Sequence, residues 1–354
     1  MFRHFMNTHH RQKPEVVVIT GASAGVGRAT AREFARHGAC LGLVARGGER
    51  LEETRREVEE LGGRAVILAG DVSDASTSER VAALTEDAFG QIDVWINNAM
   101  VSVYSRIADM PPEEFKRVTE VTYLGVVYGT QAALRRMLPR DRGTIVQIGS
   151  SLAYRSIPNQ SAYCAAKHAI RGFTDSLRSE LIADGKHLRL TMVQLPALNT
   201  PQFVWVKSRL PQKAKPPAPI YQPEVAARTI YWAAHQDRRE VYVGRNTSLG
   251  IKLNKLWPGF LDRYLVGRSF GETHEARDPS QPHNLWESAP GDWAAHGPFD
   301  QDAQEQSVHM RLSRRRAALS LAALGIAGAV AGAWARNRLH RRAGRASPLL
   351  AGRG

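Results

Sequence analysis

Cysteine is nearly absent from this chain: Cys40 and Cys164 are its only two in 354 residues. Both lie in apolar segments, offer neither a disulfide framework nor a C-x-x-C metal pattern, and read as small buried side chains in a reducing compartment. Acidic residues are missing from the end of the chain. Residues 307–354 hold ten arginines and no Asp, Glu or Lys, so of the net charge of +14 only +4 belongs to the 306 residues before them. The pI of about 10.2 is therefore a property of the tail, and nucleic-acid binding is not expected of the main body. Residues 1–13 lack an apolar h-region and read as a disordered leader, with His4, His9 and His10 part of that leader and no secretory signal expected. No repeat of 20–50 residues is apparent, which argues against solenoids and propellers.

What is present is alternation. Short apolar, β-branched runs at 15–20, 40–45, 65–69, 94–96, 144–148, 188–194 and 240–243 read as buried strands. Between them, 28–37, 49–61, 76–89, 115–138, 163–183 and 224–235 read as helices. Nearly all-apolar strands separated by helices predict a doubly wound parallel α/β sheet of about seven strands, covered on both faces, within residues 14–270. Residues 251–266 are basic and amphipathic, interrupted by Pro258. Residues 271–313, rich in Pro, Gly, Asp, Trp and His, read as an irregular linker, and 314–354 as a basic tail. Within the tail, 317–335 is nineteen residues without a charge, flanked by Arg314-Arg315-Arg316 and Arg336. As a helix it would span about 28 Å, enough for the hydrocarbon core, so a single transmembrane helix is expected. Its Ala and Gly content leaves a soluble packing helix as the alternative, and arginine on both flanks sets no orientation.

The first strand and first helix are joined by Thr20-Gly21-Ala22-Ser23-Ala24-Gly25-Val26-Gly27. Glycines there let the backbone turn tightly and approach a pyrophosphate, whose charge sits at the helix N-terminus. Gly21, Gly25 and Gly27, with Ser23 and Val26 between them, are thus candidate cofactor contacts. At the end of the second strand, an acidic residue would hold the ribose 2′-OH of NAD. This chain has Arg46 instead, nineteen positions after Gly27. Arginine pairs bidentately with a 2′-phosphate, which favours NADP(H) over NAD(H); the alternative is an Arg46 that points into solvent. Further on, Tyr163 and Lys167 stand four apart, one turn on the same helix face, and Ser150 lies thirteen residues before the tyrosine. An ammonium there favours phenolate, lowering a pKa normally about 10, so the tyrosine can exchange a proton with a carbonyl. By itself the spacing is common on helices.

Taken in order, Gly21-x-x-x-Gly25-x-Gly27, Asp71-Val72, Asn97-Asn98-Ala99, Ser150 and Tyr163-x-x-x-Lys167 resemble the short-chain dehydrogenase/reductase family in its single-domain branch, over residues 14–245. The resemblance implies a Rossmann-type fold and reversible hydride transfer between NADP(H) and a carbonyl/alcohol pair, with a homo-oligomer as its setting. It assigns Asp71 and Val72 to the adenine, Asn98 and Ala99 to the adenosine side, and Asn97 to the central sheet. Ser150 would bond the substrate carbonyl, a role for which Ser151 competes at a less usual spacing. Tyr163 would be the general acid/base. Lys167 would bind the nicotinamide ribose and lower the tyrosine pKa. Pro196 and Thr200 would hold the nicotinamide carboxamide.

Three positions depart from the family pattern. Met100 and Ala197 replace glycines. Thr122 stands where an asparagine, the fourth catalytic residue, seats a water leading from the lysine to solvent. Its hydroxyl, or a main-chain carbonyl of a distorted helix, is expected to carry that relay. Residues 202–221, with Phe203, Val204 and Trp205, are expected to form an aromatic, partly mobile lid over a hydrophobic ketone or alcohol (steroid-like, retinoid-like or acyl), unless those aromatics only pack the lid down. The expected setting is a single-pass membrane-associated protein with a cytoplasmic catalytic domain. The rival reading, favoured only by Thr122, is a membrane-tethered NADP-binding scaffold without catalysis.

Overall fold

Val16–Thr20 is a run of five buried residues and forms β1, the middle of the sheet. Val16 and Val18 pack into a cluster with Val81, Ile92, Trp95, Ala132 and Ile145. Val17 and Ile19 point to the other face by the pleat and are equally buried, as a sheet covered on both sides requires. The computed structural model describes residues 13–266, 272–278, 280–291, 293–307 and 310.

Six further strands complete the sheet: β2 (Cys40–Ala45), β3 (Arg64–Ala69), β4 (Val94–Asn97), β5 (Thr144–Ser150), β6 (Arg189–Leu195) and β7 (Glu240–Tyr242). They lie in the order β7-β6-β5-β4-β1-β2-β3, every neighbouring pair parallel. The order reverses between β1 and β4, and the carboxyl ends there leave the crevice in which doubly wound folds bind ligands. The helices between them are α1 (Gly25–Ala35), α2 (Gly48–Glu60), α3 (Ala75–Phe89), α4 (Pro112–Thr119), α5 (Gly125–Met137), α6 (Ser161–Ala183), α7 (Gln202–Trp205), and α8 (Pro223–Ala234). After β7 come α9 (Arg245–Leu256) and α10 (Pro258–Val266). The Rossmann-type expectation holds.

Two expectations are corrected, and for the lid the alternative of packed-down aromatics is met. The single helix expected over 115–138 is two, joined by a π-turn at Glu120–Leu124. Thr122 sits in that turn, buried, and its hydroxyl accepts from the Val101 N–H (3.0 Å) and donates to the Val101 oxygen (2.8 Å), fastening the widened turn to the chain after β4. The lid is tied down by backbone pairing at three places. Lys207–Ser208 pairs with Val103–Tyr104, Gln212–Ala214 with Glu272–Ala276, and Ile220–Tyr221 with Ala303–Gln304. Phe203 and Trp205 are buried, packing edge-on against Phe299 and Trp293. Lastly, the segment expected as an irregular linker returns to the main body: two of those three pairings use it, Leu285 and Ala295 are fully buried, and the described residues as far as Ser307 belong to one compact unit. Single apolar residues spaced irregularly among polar ones carry no periodic signal, so sequence patterning misses them.

The leader residues 1–12 and the stretch 317–335, expected to cross a membrane, lie outside the described residues. Among the described residues no helix is long and apolar enough to span a bilayer.

Candidate active site

The glycine loop closes the carboxyl end of β1. Gly21 and Gly25 have φ of 68° and 55°, a region that costs other residues a Cβ clash. At Gly27 a Cβ would stand 2.0 Å from the Gly21 oxygen, so only glycine lets α1 start this close to the loop. The loop is locked to β4: Thr20 Oγ1 accepts from the N–H groups of Asn98 (2.9 Å) and Ala99 (3.0 Å), while Asn98 Nδ2 donates to the Thr20 and Gly21 oxygens (2.9 and 3.1 Å). No side chain caps the first turn of α1, which leaves the positive end of its dipole facing the crevice. Asn97 serves the sheet, as expected: it accepts from Trp95 Nε1 (2.9 Å) and donates to Thr130 Oγ1 and Gln147 Oε1 (both 3.0 Å).

At the adenosine end, Arg46 does not point into solvent. Its two terminal nitrogens donate to the main-chain oxygens of Asn284 and Leu285, and burial pushes its guanidinium down from the usual arginine range. Burial alone would raise the Asp71 carboxyl. Hydrogen bonds from Arg117 and from Ser73 outweigh it and hold the group below the usual carboxylate range.

At the catalytic end, Ser150 closes β5, and its Oγ accepts from the Leu152 N–H at 3.1 Å. Tyr163, on α6, lines the same cavity as Ser150. Lys167 lies one turn further along α6, buried, its Nζ 5.6 Å from the Tyr163 ring centroid and donating to the Ile148 oxygen at 2.7 Å. The expected lowering of the tyrosine pKa is reversed here. Burial pushes the Tyr163 phenol up, with the neighbouring Ser150 hydroxyl opposing, and burial holds the Lys167 ammonium down to about 7. Thr122 does not join this group, since Val101 takes its hydroxyl in both directions.

One cavity of about 460 Å³ runs from the glycine loop to Tyr163 and Lys167. Gly21, Ser23, Gly25, Val26, Arg46, Asp71, Val72, Asn98, Ala99, Ser150, Pro196 and Thr200 also line it; of the expected site residues only Gly27 and Thr122 do not. Arg50, Val121, Asn284 and Ser288 line the cavity as well, and Arg117 pairs with Asp71 beside it; none of the five was expected from the sequence. Arg50 follows Arg46 by four residues and was findable. Arg117 was not, because its ion pair with Asp71 joins residues 46 apart in the chain. Asn284 lines the cavity with its Oδ1 buried and unbonded, an acceptor available to a ligand N–H or O–H. The α1 N-terminus, the two loop glycines, the guanidiniums of Arg46 and Arg50 and this acceptor suit a phosphate-bearing dinucleotide lying along the cleft.

A doubly wound sheet with a glycine loop at its switch point and a Ser-Tyr-Lys group in the same cleft defines a dinucleotide-dependent oxidoreductase. Residues 15–209 match the short chain dehydrogenase family, and the chain belongs to it. It is 35% identical over 272 residues to the uncharacterized oxidoreductase YxnA of Bacillus subtilis, covering 76% of each chain. It is 32% identical over 265 residues to dehydrogenase/reductase SDR family member 7B of Bos taurus, covering 72% of this chain and 81% of that one. A metagenomic short-chain oxidoreductase solved in complex with NADP superposes with a TM-score of 0.55 at 27% identity, over 64% of this chain and 95% of the other. The chain is thus a nicotinamide-dinucleotide-dependent oxidoreductase of CH–OH and C=O groups.

Proposed function

We propose that the chain interconverts a hydrophobic carbonyl compound and its alcohol with NADP(H), Tyr163 acting as general acid/base. The observation that carries this reading is that Ser150, Tyr163 and, one turn on, Lys167 line the same cavity as the glycine loop. Reduced nicotinamide, when bound, supplies the hydride. In the reductive direction the Tyr163 hydroxyl protonates the substrate oxygen, and Ser150 Oγ donates a hydrogen bond to the negative charge developing there. Lys167 orients the ribose hydroxyls and, when protonated, favours the phenolate. The main chain of the π-turn at Glu120–Leu124 is the better route for the proton to solvent, since the Thr122 hydroxyl is engaged. Arg46 and Arg50, two guanidiniums at the end of β2 and the start of α2, support a preference for the 2′-phosphate. Pro196 and Thr200 line the cavity where the carboxamide would lie.

The remaining wall of the cavity includes Leu152, Ile157, Leu198, Phe203, Tyr221 and Ile251, which supports an apolar substrate. Beside it, α9 and α10 expose Leu249, Leu256, Trp257, Phe260 and Tyr264, while Ile251 and Leu265 of the same two helices face the cavity. This apolar patch, with Lys252, Lys255 and Arg263 on the same helices, supports a site that takes substrate from a lipid surface. With the uncharged stretch 317–335 it supports a single-pass, membrane-associated enzyme. The test is NADPH oxidation by the full chain across a panel of steroid, retinoid and long-chain acyl ketones. Turnover of at least one class is expected. NADPH binding without turnover across the panel would favour the non-catalytic scaffold instead.

A further inference from the structure

Residues 284–291, expected from sequence to be part of an irregular linker, cross the cleft at its adenosine end. Asn284 and Leu285 present main-chain oxygens to Arg46, and the Leu285 oxygen also accepts from Arg117 Nε at 3.0 Å. Arg50 donates to the Ala289 and Gly291 oxygens (2.6 and 3.1 Å) and to Ser288 Oγ. The Leu285 side chain is fully buried in the apolar cluster that holds Val72 and Val121, both of which line the cavity. At the near end, the Asn284 N–H donates to the Trp205 oxygen at 2.9 Å, joining this segment to α7. Beyond it, the Ala294 oxygen accepts from the Gly25 N–H of the glycine loop at 3.1 Å.

We propose that residues 284–291 are a strap closing the cofactor cleft, which opens for each dinucleotide to enter or leave. The strap offers Arg46 and Arg50 what a 2′-phosphate would offer them, oxygen acceptors in hydrogen-bond range. Its oxygens are neutral, however, whereas a phosphate adds charge–charge attraction and bidentate geometry to the guanidinium hydrogen bonds. The cofactor therefore displaces the strap rather than being excluded by it. Its apolar anchors are Leu285 and the small Ala289, so it opens as a local unit without disturbing the sheet. Because Arg46 serves both the strap and the 2′-phosphate, closure and cofactor choice are coupled at one side chain. The inference rests on the cleft being the dinucleotide site, and its test follows cofactor binding without requiring turnover.

The experiment locks the strap in the full chain. A Cβ built at Gly47 lies 3.4 Å from Ser288 Cβ, close to the spacing of a disulfide, and both native cysteines are buried. In the Gly47→Cys/Ser288→Cys variant, stopped-flow NADPH fluorescence should show association at least tenfold slower when oxidised, restored by dithiothreitol. NADPH bound before oxidation should prevent the disulfide from forming, because the 2′-phosphate holds the strap away from Arg46 and Arg50; a disulfide that forms with NADPH retained would contradict displacement. In Leu285→Asp, which releases the anchor, association should accelerate at least tenfold. Equal rates in the oxidised and reduced forms, or no disulfide with or without NADPH, would overturn the proposal. So would a Leu285→Asp variant that loses cofactor faster but binds it at the unaltered rate, because residues 284–291 would then be a fixed wall.

Discussion

Lys167 donates its ammonium hydrogen bond to the main-chain oxygen of Ile148, 2.7 Å away on β5. A carbonyl dipole offsets less of the burial cost than a carboxylate would, so the amine is held down to about 7. A lysine whose folded pKa lies below its unfolded value binds fewer protons folded than unfolded between the two. Stability then rises with pH across that window, from about 7 toward the unfolded value of about 10.4. Wild type should gain stability relative to Lys167→Met over that range in urea titrations of the cofactor-free protein. A difference that does not vary with pH would contradict the burial argument.

Replacing Tyr163 by Phe keeps the ring and removes the proton. Carbonyl reduction should fall by roughly 10²–10⁴-fold, while NADPH binding followed by fluorescence changes little. Near-wild-type reduction by this variant would remove Tyr163 from the general-acid role.

Arg46→Asp should turn cofactor preference toward NAD. A charge-assisted arginine contact contributes about 1.5–3 kcal/mol, so the NADP/NAD ratio of kcat/KM should drop by at least tenfold. Arg50→Ala should move the ratio in the same direction. An unchanged ratio in both variants would place the 2′-phosphate elsewhere.

Thr122→Val keeps the shape and removes the hydroxyl that both accepts from and donates to Val101. The variant should be less stable by about 1–3 kcal/mol, the cost of buried backbone groups left unpaired. Its pH–rate profile should match wild type if the π-turn carries the proton relay, and should shift if the hydroxyl does.

Asn97→Leu leaves Trp95 Nε1 and Gln147 Oε1 without their partner, while Thr130 Oγ1 keeps its bonds with Val126 and Gln147. Each buried group left unsatisfied costs about 1–3 kcal/mol, so the urea midpoint should fall well below that of wild type. A midpoint within error of wild type would show that Asn97 is not structural.

The strands were readable because each is a short apolar run ended by glycine or polar residues; β2 was expected over the residues it occupies, Cys40–Ala45. The glycine loop and the Ser150, Tyr163 and Lys167 group were readable because their chemistry depends on spacing within one strand, turn or helix, which is a local property of the chain. Helical periodicity cannot register a π-turn, since one extra residue per turn leaves the apolar stripe almost unbroken. That is why the break at Glu120–Leu124 needed the contact between Thr122 and Val101 to show it.

By itself the sequence determined the parallel sheet, the cofactor loop and the order of catalytic groups, all set by local patterning and spacing. Only the tertiary structure decided the state of those groups. Burial, which depends on every neighbour at once, lowers Lys167 and raises Tyr163 against the expectation from their pairing. The polar segment 284–291 had no pattern of its own, and its place was set by guanidiniums some 240 residues earlier in the chain, at Arg46 and Arg50.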